Sequence, residues 1–161
     1  MIKYAKKDNF YSIFPMGKIP NDWEELTKED YDKHFEKTLD ELKSEKLSEL
    51  TSITSKFDNQ LVNNEMVIKS SLGFKVNADL RSQFNIRRLI NVGVEPVSFI
   101  IADNTTADLS LAQLNILISE CEENMQHLFD LKQSYKKQIA DATTKEELDA
   151  IEIKFEMLDF S

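Results

Sequence analysis

A single cysteine, Cys121, stands among the 161 residues, so no disulfide can close within the chain and a reducing compartment is expected. Glycine and proline are scarce, three of each, which leaves few tight turns and no glycine-rich loop to cradle a phosphate; long helices are expected instead. No apolar run approaches the roughly 18 residues of a membrane-spanning helix. The segment MIKYAKKDNFYSIF is basic but lacks the apolar stretch and small-residue cleavage site of a secretion signal. These absences point to a cytoplasmic protein with no membrane contact. Basic charge is also short: 20 Lys and Arg against 29 Asp and Glu give a net charge of -9. Nucleic-acid backbones and anionic membranes call for the opposite balance. The excess suits a basic partner, or repulsion between copies of the chain.

What is present organises as an α+β, predominantly helical chain: a small β-containing part joined to long antiparallel, coiled-coil-like helices. Residues 1–26 read as a short β or irregular segment: Tyr4, Phe10, Tyr11 and Phe14 precede Pro15, Gly17 and Pro20, and the prolines forbid a helix. Thr27, followed by Glu29 and Asp30, opens a helix. Tyr31, Phe35, Leu39 and Leu42, then Leu47, Leu50, Ile53, Phe57 and Leu61, extend one apolar stripe over 27–62, about 50 Å at 1.5 Å per residue. Residues 63–108 read as a small αβ unit. It holds two short strands around Ser-Ser-Leu-Gly, a helix capped by Asp79 and closed by Gly93, and a buried strand over 96–102.

Residues 110–158 read as a helical hairpin. Ser110 and Gln113 form a capping box before Leu111, Leu114, Ile118, Cys121, Met125, Leu128, Lys132, Tyr135 and Ile139. After a turn at 140–143, a second box, Thr144 with Glu147, precedes Leu148, Ile151, Phe155 and Leu158. A short linker of this kind makes two helices antiparallel neighbours.

No constellation of catalytic or metal-ligating residues emerges. His34 follows Asp30 by four positions and His127 follows Glu123 likewise, but neither has a recognised ligand spacing, and both read as surface residues. Cys121 occupies an apolar seam position and reads as a buried small hydrophobe. Asp103, Asn104 and Asp108 lack the glycine and terminal glutamate of a calcium loop, and read as turn and capping residues. The three arginines, Arg81, Arg87 and Arg88, are confined to one short stretch. Arg81 and Arg88, seven apart, share one stripe of their helix and suit forked pairing with carboxylates, either inside the protein or on an acidic partner. The aromatic group Tyr4, Phe10, Tyr11, Phe14 and Trp23 either covers the core or awaits a partner.

The segment IPNDWEELTKEDYDKHFEK, residues 19–37, resembles the part of phage tail fibre assembly proteins in which a proline-led turn precedes a helix starting with Thr, acid and Tyr. The segments LGFKVNADLRSQFNIRRLI, FIIADNTTADLSLAQL and IADATTKEELDAI resemble a second family. That family is the uncharacterised domain often found at the carboxyl end of phage and prophage tail fibre and tail-fibre-assembly proteins. The resemblance implies a non-enzymatic chaperone that helps fibre chains fold or trimerise, in the host cytoplasm or on the virion, with the tail fibre as protein partner. It brings no catalytic, cofactor or metal residues. The residues expected to meet the partner are Tyr11, Phe14 and Trp23 for hydrophobic capture, with Arg81 and Arg88 orienting it. Two alternatives stand beside this reading: a structural tail component forming a homo-oligomer through its helices, and an acidic phage inhibitor of a host defence protein.

Overall fold

The computed structural model describes residues 2–15 and 17–161, the side chain of His34 excepted; the surface reading of His34 therefore lies outside the described residues. The chain divides into two compact units, Met1–Glu41 and Leu42–Ser161.

In the first unit, β1 (Lys3–Lys7), β2 (Phe10–Phe14) and β3 (Glu24–Leu26) form an antiparallel sheet in the order β2-β1-β3. Lys7 faces Phe10, so two residues make the β1–β2 turn, and Asp8 takes the positive φ of 52° that such a turn needs. Helix α1 (Lys28–Phe35) begins where the Thr27 side chain accepts from the Asp30 N–H at 3.0 Å. Among the described residues of this unit only Ala5 is fully buried.

The single helix expected over 27–62 is two helices. α1 ends at Phe35, Glu36 is extended, and α2 runs Leu39–Val62. The cause is a capping box: the Thr38 hydroxyl accepts from the Glu41 N–H, and the Glu41 carboxylate accepts from the Thr38 N–H at 2.7 Å. The boundary between the units falls in the first turn of α2.

The second unit follows α2 with two hairpins, β4 (Val67–Lys69) with β5 (Lys75–Asn77) and β6 (Val97–Ile100) with β7 (Thr106–Leu109). Between them lies α3 (Leu80–Val92), capped by Asp79 and closed by left-handed Gly93 (φ 72°) as the sequence indicates. The long α4 (Leu111–Asp141) opens with the Ser110–Gln113 box, to which Glu95 adds by accepting from the Leu111 N–H at 2.8 Å. One face of each hairpin, with Ile68 and Val76 on the first and Phe99 and Leu109 on the second, packs with Ile86 of α3 and Leu114, Leu117, Ile118 and Cys121 of α4. The apolar seam of α4 thus serves the unit's own core over its first three turns.

The helical hairpin expected over 110–158 does not form. α5 is only Lys145–Asp149, and the chain beyond Ala150 is extended. Ile151, Ile153, Phe155 and Met157 turn inward while Glu152, Lys154 and Glu156 stay exposed, a period of two that a helix cannot accommodate. The Tyr135 hydroxyl of α4 both donates to the Lys154 carbonyl (3.1 Å) and accepts its N–H (3.0 Å), and the Phe155 ring lies between Phe57 and Tyr135. Further on, the Phe160 N–H donates to Lys69 of β4, where Asp159 makes a parallel bridge. The antiparallel neighbour of α4 is instead α2: Lys43 donates to the Ala140 carbonyl at 2.8 Å, and Lys132 stands 3.8 Å from Asp58.

Asn124 holds the returning segment in place. It is fully buried, and its side-chain oxygen accepts from the Leu158 N–H at 2.9 Å. Asn124→Ala leaves that N–H without its acceptor, at a cost of about 1–3 kcal/mol. Hydrogen–deuterium exchange should then accelerate over 153–160 and remain unchanged in β6 and β7.

Candidate functional site

The residues singled out in the sequence fall on two surfaces, one in each unit. In the first, the sheet register sets Tyr11 opposite Lys6 and Phe14 opposite Lys3. Three positions apart on a strand, the two rings leave on opposite faces. Tyr11 meets Tyr31 and Phe35 of α1, with ring centroids 6.3 and 5.7 Å away, whereas Phe14 lies edge-on to Trp23 at 5.5 Å. Tyr11, Phe14 and Trp23 therefore do not make one hydrophobic surface: all three are half-buried, Tyr11 against α1 and Phe14 against Trp23.

What this sheet presents instead is the outer strand β2. Its Phe10 side chain is 71% exposed and Ile13 48%. In a two-residue hairpin the closing pair, here Lys7 with Phe10, is hydrogen-bonded and the pairing alternates from there. The N–H and C=O groups of Tyr11 and Ile13 accordingly point away from β1. The sequence of β2, Phe-Tyr-Ser-Ile-Phe, carries no charge, no proline and no bulge to discourage a further strand. The opposite outer strand differs: Glu24 and Glu25 of β3 pair with Lys6 and Lys3 at 3.1 and 2.8 Å. Sequence reasoning missed Ile13, although its parity with Tyr11 along the strand was there to read.

In the second unit α3 directs Arg81, Asn85 and Arg88 into an open groove of about 470 Å³, with Leu89 and Phe99 also lining it. Its far wall is β6, through Ser98 and Ile100, and one end is Asn77 and Asp79. The structure thus brings the two predicted arginines together on one surface. Arg87 leaves the helix on another side and pairs with Glu122 of α4. Among the described residues neither Arg81 nor Arg88 has an ion-pair partner, so the internal ion-pair reading holds for Arg87 and not for these two. Asp79, the acid at the groove, is turned to the N–H and hydroxyl of Ser82, both at 2.8 Å.

Cys121, Asp103 and Asn104 take the structural roles that their spacing indicates. Cys121 is fully buried, and burial, with the carboxylates of Glu120, Asp79 and Glu122 adding to it, pushes its thiol up to about 12. A neutral thiol is neither a nucleophile nor a metal ligand at physiological pH. Asp103 accepts from the N–H and hydroxyl of Thr105 at 2.9 and 2.6 Å, and Asn104 takes a φ of 65°, so this loop is a turn. His127 is half-buried on α4, and among the described residues no three His, Cys, Asp or Glu gather where they could hold a metal ion. No helix of the described residues is long and apolar enough to cross a membrane.

With 51% of residues in helices and 18% in strands grouped into small antiparallel sheets, this is an α+β protein, predominantly helical. The chain belongs to the family described as a domain of unknown function, DUF4376, whose model matches residues 41–152. That match begins where the second unit begins, so the arginine groove lies inside the family domain and the β1–β3 sheet lies outside the matched residues. No curated protein and no solved structure matches the chain.

Proposed function

We propose that the protein is a non-enzymatic accessory protein of phage tail-fibre assembly, which holds an extended segment of the fibre chain against the open edge of β2. The observation that carries this reading is the uncharged outer strand itself, with exposed Phe10 and Ile13 and the outward amide of Ile13. An extended segment that adds to a sheet edge gains affinity from main-chain hydrogen bonds and selectivity from alternate side chains. Trimeric, β-rich fibres fold slowly through unpaired edges that aggregate, and a protein that occupies such an edge until three chains align supplies what they lack. The resemblance of residues 19–37 to tail fibre assembly proteins supports the same partner. Self-association through the α4 seam is less favoured, because Leu114, Ile118 and Cys121 are spent within one unit's core.

Co-expression with a phage tail-fibre chain tests the proposal. Soluble trimeric fibre should rise with the native protein and fall back with Ile13→Pro. That substitution removes an outward N–H and leaves the β1–β2 ladder intact, as edge strands tolerate. Equal yields of trimer without the protein would overturn the reading, as would full activity of Ile13→Pro.

A further inference from the structure

The groove in the second unit has the features of a place for a missing strand. The Ile101 N–H donates to the Thr105 carbonyl at 3.0 Å, which makes Ile101 with Thr105 a hydrogen-bonded pair of the β6–β7 ladder. By alternation Phe99 and Val97 also bond toward β7, while Ser98 and Ile100 direct their N–H and C=O groups the other way. On β5 the bonds from Ala78 to Met66 and from Ser70 to Phe74 fix the same alternation, so Lys75 and Asn77 point away from β4. The two free edges are joined at one end, where the Ala102 N–H donates to the Lys75 carbonyl at 3.0 Å. At the other end the groove separates Asn77 from Ser98 and Ile100. Among the described residues no backbone bond reaches these three from across it.

We propose that this groove receives an extended acidic segment of a protein partner. Its backbone continues the ladder on Ser98 and Ile100, and its carboxylates are met by Arg81 and Arg88. Charge selects the occupant. In a chain of net charge -9, Arg81 and Arg88 have no ion pair among the described residues, and Asp79, the carboxylate in the groove's lining, is engaged by Ser82 instead. Planar guanidinium groups pair with carboxylates in a fork, which fixes register as well as affinity. Backbone edges and Ile100, 61% exposed, favour a polypeptide over a free acid, since a peptide alone satisfies amides and an apolar contact together. A nucleic acid brings a run of phosphates that the surrounding acidity repels. The groove's volume of about 470 Å³ lies within the range of about 300–1,000 Å³ typical of ligand sites.

A fluorescein-labelled peptide alternating Asp and Val over eight residues tests this in the full chain. Anisotropy at low salt should show saturable binding, weakened at least tenfold by Arg81→Gln with Arg88→Gln and by Ser98→Pro, and absent when Lys replaces each Asp. All three substitutions lie on the surface, and Ser98→Pro removes only an outward N–H. Amide NMR shifts on binding should centre on Asn77, Ser98 and Ile100. Three outcomes overturn the proposal: no saturation at millimolar peptide, binding indifferent to the arginine pair, or tighter and equally arginine-dependent binding of a twelve-nucleotide oligo-dT. Self-association by sedimentation that the arginine pair abolishes would also overturn it, by assigning the groove to a second copy of the chain. Ile13→Pro should leave peptide binding intact, so failure here and failure at β2 remain separate results.

Discussion

Leu114→Ala should destabilise the second unit by about 2–5 kcal/mol, read from urea denaturation followed by far-UV circular dichroism. Leu114 is fully buried in the first turn of α4, where the Ser110–Gln113 box fixes the helix start and therefore the direction of the side chain. It belongs to the cluster that joins both hairpins to α3 and α4, including Ile68, Val76 and Phe99. Truncation removes three carbons from water-free surroundings and leaves a cavity that neighbours on four elements cannot all relax to fill. Ile116→Ala, two residues on and 40% exposed, is the control and should cost under about 1 kcal/mol. A loss at Leu114 no greater than at Ile116 would mean that α4 does not pack as described.

Raising the pH from 9 to 12 should remove up to about 4 kcal/mol of stability through Cys121 alone, at about 1.36 kcal/mol per pKa unit. Burial, and then the carboxylates of Glu120, Asp79 and Glu122, lift the thiol from its ordinary 9.0 to about 12. The folded state therefore keeps a proton that the unfolded chain gives up. Stability from this group is whole below pH 9 and drains as pH climbs toward the folded value. Lysines titrate in the same range, so the measurement is the difference between the native protein and Cys121→Ala. The variant should lack the extra downward slope above pH 9, and parallel curves would refute the assignment. At pH 8 the native thiol should resist iodoacetamide until denaturant is added.

Local chemistry was legible in the sequence wherever it is written in adjacent residues. The boxes at Ser110 and Thr144, the caps at Asp79 and Gly93, and the Ser-Ser-Leu-Gly turn, whose Gly73 takes a φ of 86°, stand where their patterns place them. The Thr38–Glu41 box carries the same signal, but the apolar stripe from Leu39 onward is strong enough to read straight through it. Beyond Leu148 two periods compete: Ile151, Phe155 and Leu158 fit a helix, while Ile151, Ile153, Phe155 and Met157 fit a strand. Tertiary bonds from Tyr135 and Asn124 decide for the second. Buried polar residues were out of reach. Glu120 is inside because Ser71, 49 residues away, donates its N–H and hydroxyl to it. At the candidate site, the shared stripe of Arg81 and Arg88 was readable from spacing. The absence of an acid opposite them, and the parting of β5 from β6, depend on contacts that no local pattern encodes.

The parallel bridge between Lys69 and Asp159 spans 90 residues, whereas the β1–β2 turn closes over two. Loop-closure cost rises with separation, and pairings between distant residues are the slow ones to form. In a refolding experiment the amides of β1 and β2 should therefore gain protection early, within microseconds to milliseconds, and that of Phe160, which donates to Lys69, last. A chain emerging from the ribosome would already display its aromatic hairpin while the arginine-bearing half was still waiting for its closing segment.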